Sequence, residues 1–221
     1  PGTAIETEAI SEQLFTEWAL RAVAIKPYPI CHFNHAPVDA ALVLREQYKL
    51  SVDEIASITV LLHERQFGVV VDPIESKRAP QGEYDAKFSV PYAVATALTA
   101  GRFGLAELED AARLDSDVLA LAQRINCEHD ARSRYPDSFS GGVRVLTVDG
   151  RVLEHFEEIN RGAAGRLLGA EQVYEKFMAN CALTISHEQA EALWRSLQQM
   201  DELEDVTGLM ALLRTETNKA N

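Results

Sequence analysis

The stretch Val143–Glu158, VRVLTVDGRVLEHFEE, decides the fold, because it carries the clearest local signal in the chain. Apolar and polar residues alternate on both sides of Asp149-Gly150, a dipeptide that favours a two-residue hairpin turn. Alternation with period two sends successive side chains to opposite faces of a strand. Two strands joined in this way require a sheet, and the rest of the chain has to be arranged around it. Upstream, SITVLLHE (57–64) is β-branched and alternating, so it is expected as a strand in spite of the capping-box spacing of Ser51 and Glu54. RAVAI (21–25) reads as a short strand buried on both faces, and NCEHDAR (126–132) as a further one.

Between these strands the spacing is helical. Pro37 suits only a first helical turn, which predicts a helix over about 37–48. A second is expected from about Pro91 to Ala100, stopped at Gly101, and two short ones in LAELEDA (105–111) and SDVLALAQRI (116–125). Residues 65–84 read as a loop by their prolines, charges and glycine, and SRYPDSFSGG (133–142) as a long turn. Near the start, Ile10, Leu14, Phe15 and Trp18 have a weak helical spacing. Beyond NRGAAGRLLG (160–169) only helices are expected. Val173, Phe177 and Cys181 line one; Ala190, Leu193, Trp194 and Leu197 line the next, capped by Ser186 and Gln189; Val206, Leu209, Met210 and Leu213 line the last.

The fold class is therefore α+β: a small mixed sheet with helices, followed by a helical segment. Three stretches follow: 1–19 as the end of a helical region or a linker, 20–165 as the α+β domain, and 166–221 as helices. Those last helices have apolar faces (Phe177, Trp194, Met210) that call for a further helical partner.

Composition narrows the function. A chain of 221 residues can bury a sizeable core, and 47% hydrophobic with 25% charged residues is ordinary for a globular protein. A net charge of -13 argues against nucleic acid or an anionic membrane as partner. The acidity sits at the ends: residues 1–20 carry four acids and no base, and residues 171–221 nine acids and four bases. The middle is nearly balanced, which leaves room there for an anionic small substrate. Cys31, Cys127 and Cys181 are odd in number and far apart, which suits a reducing cytoplasm. No apolar run is long enough for a membrane span, and the first residues form no signal peptide. PGTAIETEAI, without an initiator Met, reads as the interior of a longer protein.

The chemistry concentrates in KPYPICHFNHAPVD (26–39). Three functional readings compete with a plain capping turn in which Asn34 or His35 starts the helix and Tyr28 packs. Cys31, His32, His35 and Asp39 as metal ligands is the weakest, since no second Cys/His cluster exists and a structural zinc site usually draws on two ligand pairs. Cys31 as an activated thiolate beside Lys26 or an imidazole is the second. Proton transfer is the third: an ammonium beside imidazoles binds a carboxylate, and histidine moves a proton near neutrality. A second locus is KRAPQGEYDAKFSVPYAVATAL (77–98), where Lys77 and Arg78 are candidate substrate-binding cations in an otherwise acidic protein.

Four blocks taken together, AIKPYPICHFNHAPVDAALVL (24–44), DAKFSVPYAVATALTAG (85–101), YPDSFSGGVRVLTVDGRVLEHFEEINRG (135–162) and EQVYEKFMANCAL (171–183), resemble in order and spacing the C-terminal half of the MmgE/PrpD family. The resemblance covers about residues 14–185. It implies a lid domain of a longer, dimeric enzyme that uses no metal or organic cofactor. In that family an all-helical N-terminal domain supplies part of the site, and the C-terminal helices return to it. The expected activity is that of a hydro-lyase of the 2-methylcitrate dehydratase type, in propionate catabolism, acting on a di- or tricarboxylate. Decarboxylation, epimerisation and a non-catalytic, partner-binding fragment are the alternatives. By resemblance, the lid lysine matches Lys26, a functional histidine falls at Cys31, the next at His35, and the cleft tyrosine at Tyr92. Cys31 departs from the histidine pattern, which counts against decarboxylation. The expected catalytic set is Lys26, His35, Tyr92 and Cys31, with Lys26, Lys77 and Arg78 binding substrate, no metal, and this chain inactive alone.

Overall fold

A computed structural model describes residues 12, 14–18, 20 and 23–214. The sheet that Val143–Glu158 demands is present as four strands in the order β2-β1-β3-β4, where β1 is Ile55–Leu62, β2 Ile125–His129, β3 Gly141–Thr147 and β4 Val152–Glu157. β1 runs parallel to β2, with Ile58 opposite Ile125, and antiparallel to β3, with Val60 opposite Val143. A parallel pair needs a long crossover, and the residues between β1 and β2 supply it as helices.

The hairpin differs from its expected form. Thr147 pairs with Arg151 through a 2.9 Å backbone bond, so Val148, Asp149 and Gly150 form a three-residue loop. Gly150 takes φ 87°, the left-handed position that closes such loops.

Period two makes the two faces of the sheet unlike. Ile58, Val60, Leu62, Val143, Val145 and Leu153 are buried on one face. The other carries a charge ladder: Arg144 bonds Glu154 at 2.6 Å, and Arg132 bonds Glu154 at 2.8 Å while lying over the Phe156 ring.

On the apolar face lies α1 (His35–Tyr48), whose small residues Ala36, Ala40 and Ala41 are buried and let it approach β3 and β4 closely. The short helices α2 (Phe67–Val70), α3 (Ile74–Arg78) and α4 (Glu83–Lys87) occupy the stretch expected as loop. Each is a turn or so long, too short for a 3.6-residue period to show in the sequence. Next comes α5 (Val90–Ala100), which is buried over nine consecutive residues from Val90 to Leu98, as befits a helix apolar all round. The Ser89 hydroxyl caps it by accepting from Tyr92 N, and Gly101 at φ 70° ends it. Then α6 (Asp110–Arg113) and α7 (Ser116–Gln123) lead into β2, with α7 packed on α5.

Three helices follow the sheet: α8 (Ala170–Cys181), α9 (His187–Gln198) and α10 (Thr207–Leu212). Ser186 and Gln189 form the expected reciprocal cap of α9. Phe177 and Tyr174 of α8 meet the Trp194 ring of α9 at 5.2 Å. Leu183, Met200, Val206 and Met210 remain exposed. The architecture is α+β, as expected. Two local expectations fail or fall outside. Residues 23–25 are not a strand: Val23 N bonds back to Leu20 O at 3.2 Å, and Ile25 N to Gly162 O at 2.9 Å. Of the weak helical spacing near the start, Ile10 lies outside the described residues and 14–18 form no helix.

Candidate functional site

Pro27 and Pro29 keep residues 27–30 out of any helix or ladder, since proline donates no N–H and fixes φ, and the chain bends there. The segment is then pinned at both ends. Cys31 N and the Asn34 side chain both donate to Lys87 O at the end of α4, at 2.8 and 3.3 Å. The Ile30 carbonyl collects two donors, Lys26 Nζ at 3.0 Å and His35 Nε2 at 3.3 Å. A 3-10 turn over His32–Asn34 leads directly into α1, so Lys26, Cys31, His32 and His35 surround a single bend.

A second strip of chain, Asn160-Arg161-Gly162 after β4, closes over this bend. Gly162 has φ 82°, and a Cβ there would lie 1.9 Å from the Ile25 carbonyl oxygen, so only glycine allows the approach. Arg161 donates from its backbone N (3.1 Å) and its Nε (3.0 Å) to the carboxylate of Asp39, which also accepts from the Tyr28 hydroxyl at 2.6 Å. Arg161 Nη2 donates to the same hydroxyl. Asp39 is buried, and a buried carboxylate persists only when paired and hydrogen-bonded in this way. Asn160, fully buried, bonds His32 Nε2 at 2.8 Å across 128 residues of sequence. The Phe139 ring stacks on His32 at 4.6 Å.

From the tail, Lys176 of α8 donates its ammonium to Lys26 O at 2.6 Å. Beside it opens a cleft of about 550 Å³ bounded by Pro27, Tyr28, Arg161, Gln172, Glu175 and Lys176. Neither Lys26 nor Lys176 forms an ion pair with an acid among the described residues.

The imidazoles of the bend are neutral and lie beside cations. Burial, then repulsion from His32 whenever that ring is protonated and from the Lys26 and Lys176 ammonium groups, pushes His35 down to about 3, so at neutral pH it is uncharged. Burial and Lys26 lower His32 as well. Burial also holds Lys176 below the ordinary lysine value, with Lys26 adding repulsion. The His35 ring is fixed by its bond to a carbonyl, which requires Nε2–H. Its Nδ1 lone pair is buried with no partner.

The structure thus brings Lys26, Cys31 and His35 together, but not all the expected residues. Cys31 is half-buried and burial raises its thiol, against the pull of Lys26 and Lys77, so the environment does not favour a thiolate. Tyr92 is fully buried in the core: its hydroxyl donates to Glu107 O and its ring meets Phe103 edge-on. Arg78 is engaged by the Ile125 carbonyl at 2.7 Å, by Asn126 and by Glu75, and so caps the start of β2 rather than facing a cleft. Lys77 donates to Val69 O at 2.9 Å. Among the described residues no group of three or more His, Cys, Asp or Glu is placed to hold a metal ion.

Asn160, Arg161, Phe139 and Lys176 are the residues that sequence reasoning passed over. The only local hint was the Asn-Arg-Gly run directly after an alternating strand, where a glycine marks a close backbone approach.

The MmgE/PrpD C-terminal domain model matches residues 28–202. The chain is 30% identical over 177 residues to the 2-methylcitrate dehydratase of Cupriavidus necator, covering 75% of this chain and 36% of that protein. It is 22% identical over 201 residues to mouse cis-aconitate decarboxylase, covering 87% and 39%. It is 24% identical over 216 residues to the cis-aconitate decarboxylase-like protein oryM of Aspergillus oryzae, covering 95% and 44%. The chain spans less than half the length of each of these curated relatives.

Proposed function

The chain belongs to the MmgE/PrpD family, and on that premise we propose that it is the C-terminal, lid part of a cofactor-independent hydro-lyase of the 2-methylcitrate dehydratase type. The reaction begins with loss of a proton from carbon beside a carboxylate of a di- or tricarboxylate. The observation that carries this reading is the convergence of two ammonium groups without acidic partners among the described residues, Lys26 and Lys176, on a bend that also holds two neutral imidazoles. Removing a proton next to a carboxylate builds charge on that carboxylate, and a lysine placed there stabilises it. His35 Nδ1, buried with no partner among the described residues, can orient a water or a substrate hydroxyl as a hydrogen-bond acceptor, but a ring held neutral down to about 3 is a weak base, so the proton is taken by a group outside this bend. Substrate would enter at the cleft beside Lys176, and a helical N-terminal half would close it. The exposed apolar residues Leu183, Met200, Val206 and Met210 of the tail support such a partner, although Phe177 and Trp194 pack on each other; the whole enzyme would be a homodimer.

The relatives named as cis-aconitate decarboxylases favour a second reading, decarboxylation at the same bend. Both share the carbanion-like step, which is why the fold supports either. The test is turnover by the full-length protein of methylcitrate, citrate and cis-aconitate. A new double bond, read by ultraviolet absorbance without release of carbon dioxide, is the expected result. Carbon dioxide release would select the second reading, and no turnover of any of the three would overturn both. Lys26→Ala is expected to lower kcat/KM by about 100-fold, the scale of removing one charge-stabilising donor.

A further inference from the structure

His32 is set apart from the other groups of the bend by its partners. Its Nε2 lies 2.8 Å from Asn160 Nδ2, and the same Nδ2 lies 3.0 Å from the Arg161 carbonyl oxygen. A carbonyl only accepts, so this contact settles which end of the Asn160 amide points at Arg161. The NH2 group then has one hydrogen for Arg161 O and one for His32, and Nε2 must accept. A neutral imidazole that accepts at Nε2 carries its proton on Nδ1. No hydrogen-bond partner of that atom occurs among the described residues, and the His32 side chain is half-buried. Phe139, stacked at 4.6 Å and 19°, holds the ring plane.

We propose that Asn160 is a positioning residue that locks His32 as a neutral Nδ1–H donor, making it a hydrogen-bond donor to a carboxylate of the ligand. This inference rests on reading the bend as a carboxylate site. His32 is then not the base. Charging it would place a second proton on Nε2, head-on to the N–H of Asn160, so the lock opposes the imidazolium; burial and the Lys26 charge act in the same direction. The groups facing the ring are Lys26 from its own segment, His35 from α1, and Asn160 and Phe139 from the two strips that cover it. Its neighbour His35, 4.8 Å away between ring centroids, is locked in the opposite sense by the Ile30 carbonyl. The bend therefore presents one fixed imidazole donor and one fixed imidazole acceptor, and no proton need move between them for the arrangement to exist.

The tautomers are read directly by 15N-resolved histidine NMR of the full chain. In the wild type His32 is expected as Nδ1–H and His35 as Nε2–H. In Asn160→Asp the carboxylate accepts where the amide donated, so His32 should gain a proton at Nε2 while His35 keeps its own form. Unchanged His35 signals show that the bend is still folded in the variant. Addition of citrate as probe is expected to shift the His32 Nδ1 resonance in the wild type and to shift it at least several-fold less in Asn160→Asp. An Nε2–H wild-type His32, or a tautomer indifferent to Asn160→Asp in a folded chain, would overturn the lock. A correct tautomer with no response to citrate would overturn the donor role while leaving the lock. Neither outcome depends on turnover, so failure of the lyase assignment is told apart from failure of this one.

Discussion

Lowering the pH should destabilise the fold through one buried ring before any carboxylate titrates. His35 is fully buried, its Nε2 donates to Ile30 O, and it is held neutral down to about 3. In the unfolded chain the same side chain takes a proton near pH 6.5. Below that value the unfolded state binds more protons than the folded state, and stability falls as the pH falls, until His35 is protonated in the folded state too. Between pH 7 and pH 5 the unfolded group becomes charged while the folded one does not, a loss of about 2 kcal/mol at about 1.4 kcal/mol per pH unit. That is a large share of the stability of a typical domain. His32, lowered in the same direction, adds to the slope. Asp130, Asp149 and Glu154 are all held below their ordinary values by arginine and hydroxyl partners, so their stabilisation is lost only at lower pH. The assay is urea unfolding at pH 7, 6 and 5 for the wild type and His35→Gln. The variant starts less stable, having lost its buried hydrogen bond, but its stability should decline with pH by about 2 kcal/mol less than that of the wild type. Parallel curves for the two proteins would refute the reasoning.

Three further outcomes follow from the same geometry. Gly162→Ala combines a left-handed backbone with a Cβ 1.9 Å from Ile25 O, and should cost about 3 kcal/mol in denaturant unfolding while freeing residues 25–28 to proteolysis. Asp39→Asn leaves Arg161 without its buried carboxylate and should cost about 3 kcal/mol, and adding Arg161→Met should recover part of it in a double-mutant cycle. Tyr92→Phe removes one buried hydrogen bond to Glu107 O and should lower stability by about 1 kcal/mol with kcat/KM of the full-length protein unchanged; a loss of turnover with normal stability would place that hydroxyl in the reaction instead.

Much of this was legible because it is local. An alternating pattern on either side of Asp149-Gly150 yields two strands wherever the chain places them, although the exact loop length depended on how Thr147 and Arg151 paired. The apolar run of α5 with its Ser89 cap and Gly101 stop, and the Ser186–Gln189 cap, involve only neighbours in sequence. Lys26, Cys31 and His35 lie within ten residues of one another, so their proximity needed only the two prolines and the start of α1. The turns at 67–87 were missed because a helix of four or five residues has no visible period. Tyr92 was matched by resemblance and Arg78 chosen by residue type, and neither reveals which way a side chain turns: one hydroxyl met a core carbonyl, one guanidinium met the start of a strand.

By itself, then, the amino-acid sequence determined the α+β class, the family, and which candidate site residues share one bend. Tertiary structure alone decided the rest. It carried Asn160 to His32 across 128 residues, Arg161 to Asp39 across 122 and Lys176 to Lys26 across 150, pairings that no local pattern encodes. The physical reason is that a histidine's tautomer and a lysine's charge are set by the atoms nearest in space. Those atoms reach the bend only when Gly162 lets a distant strip of chain lie against Ile25.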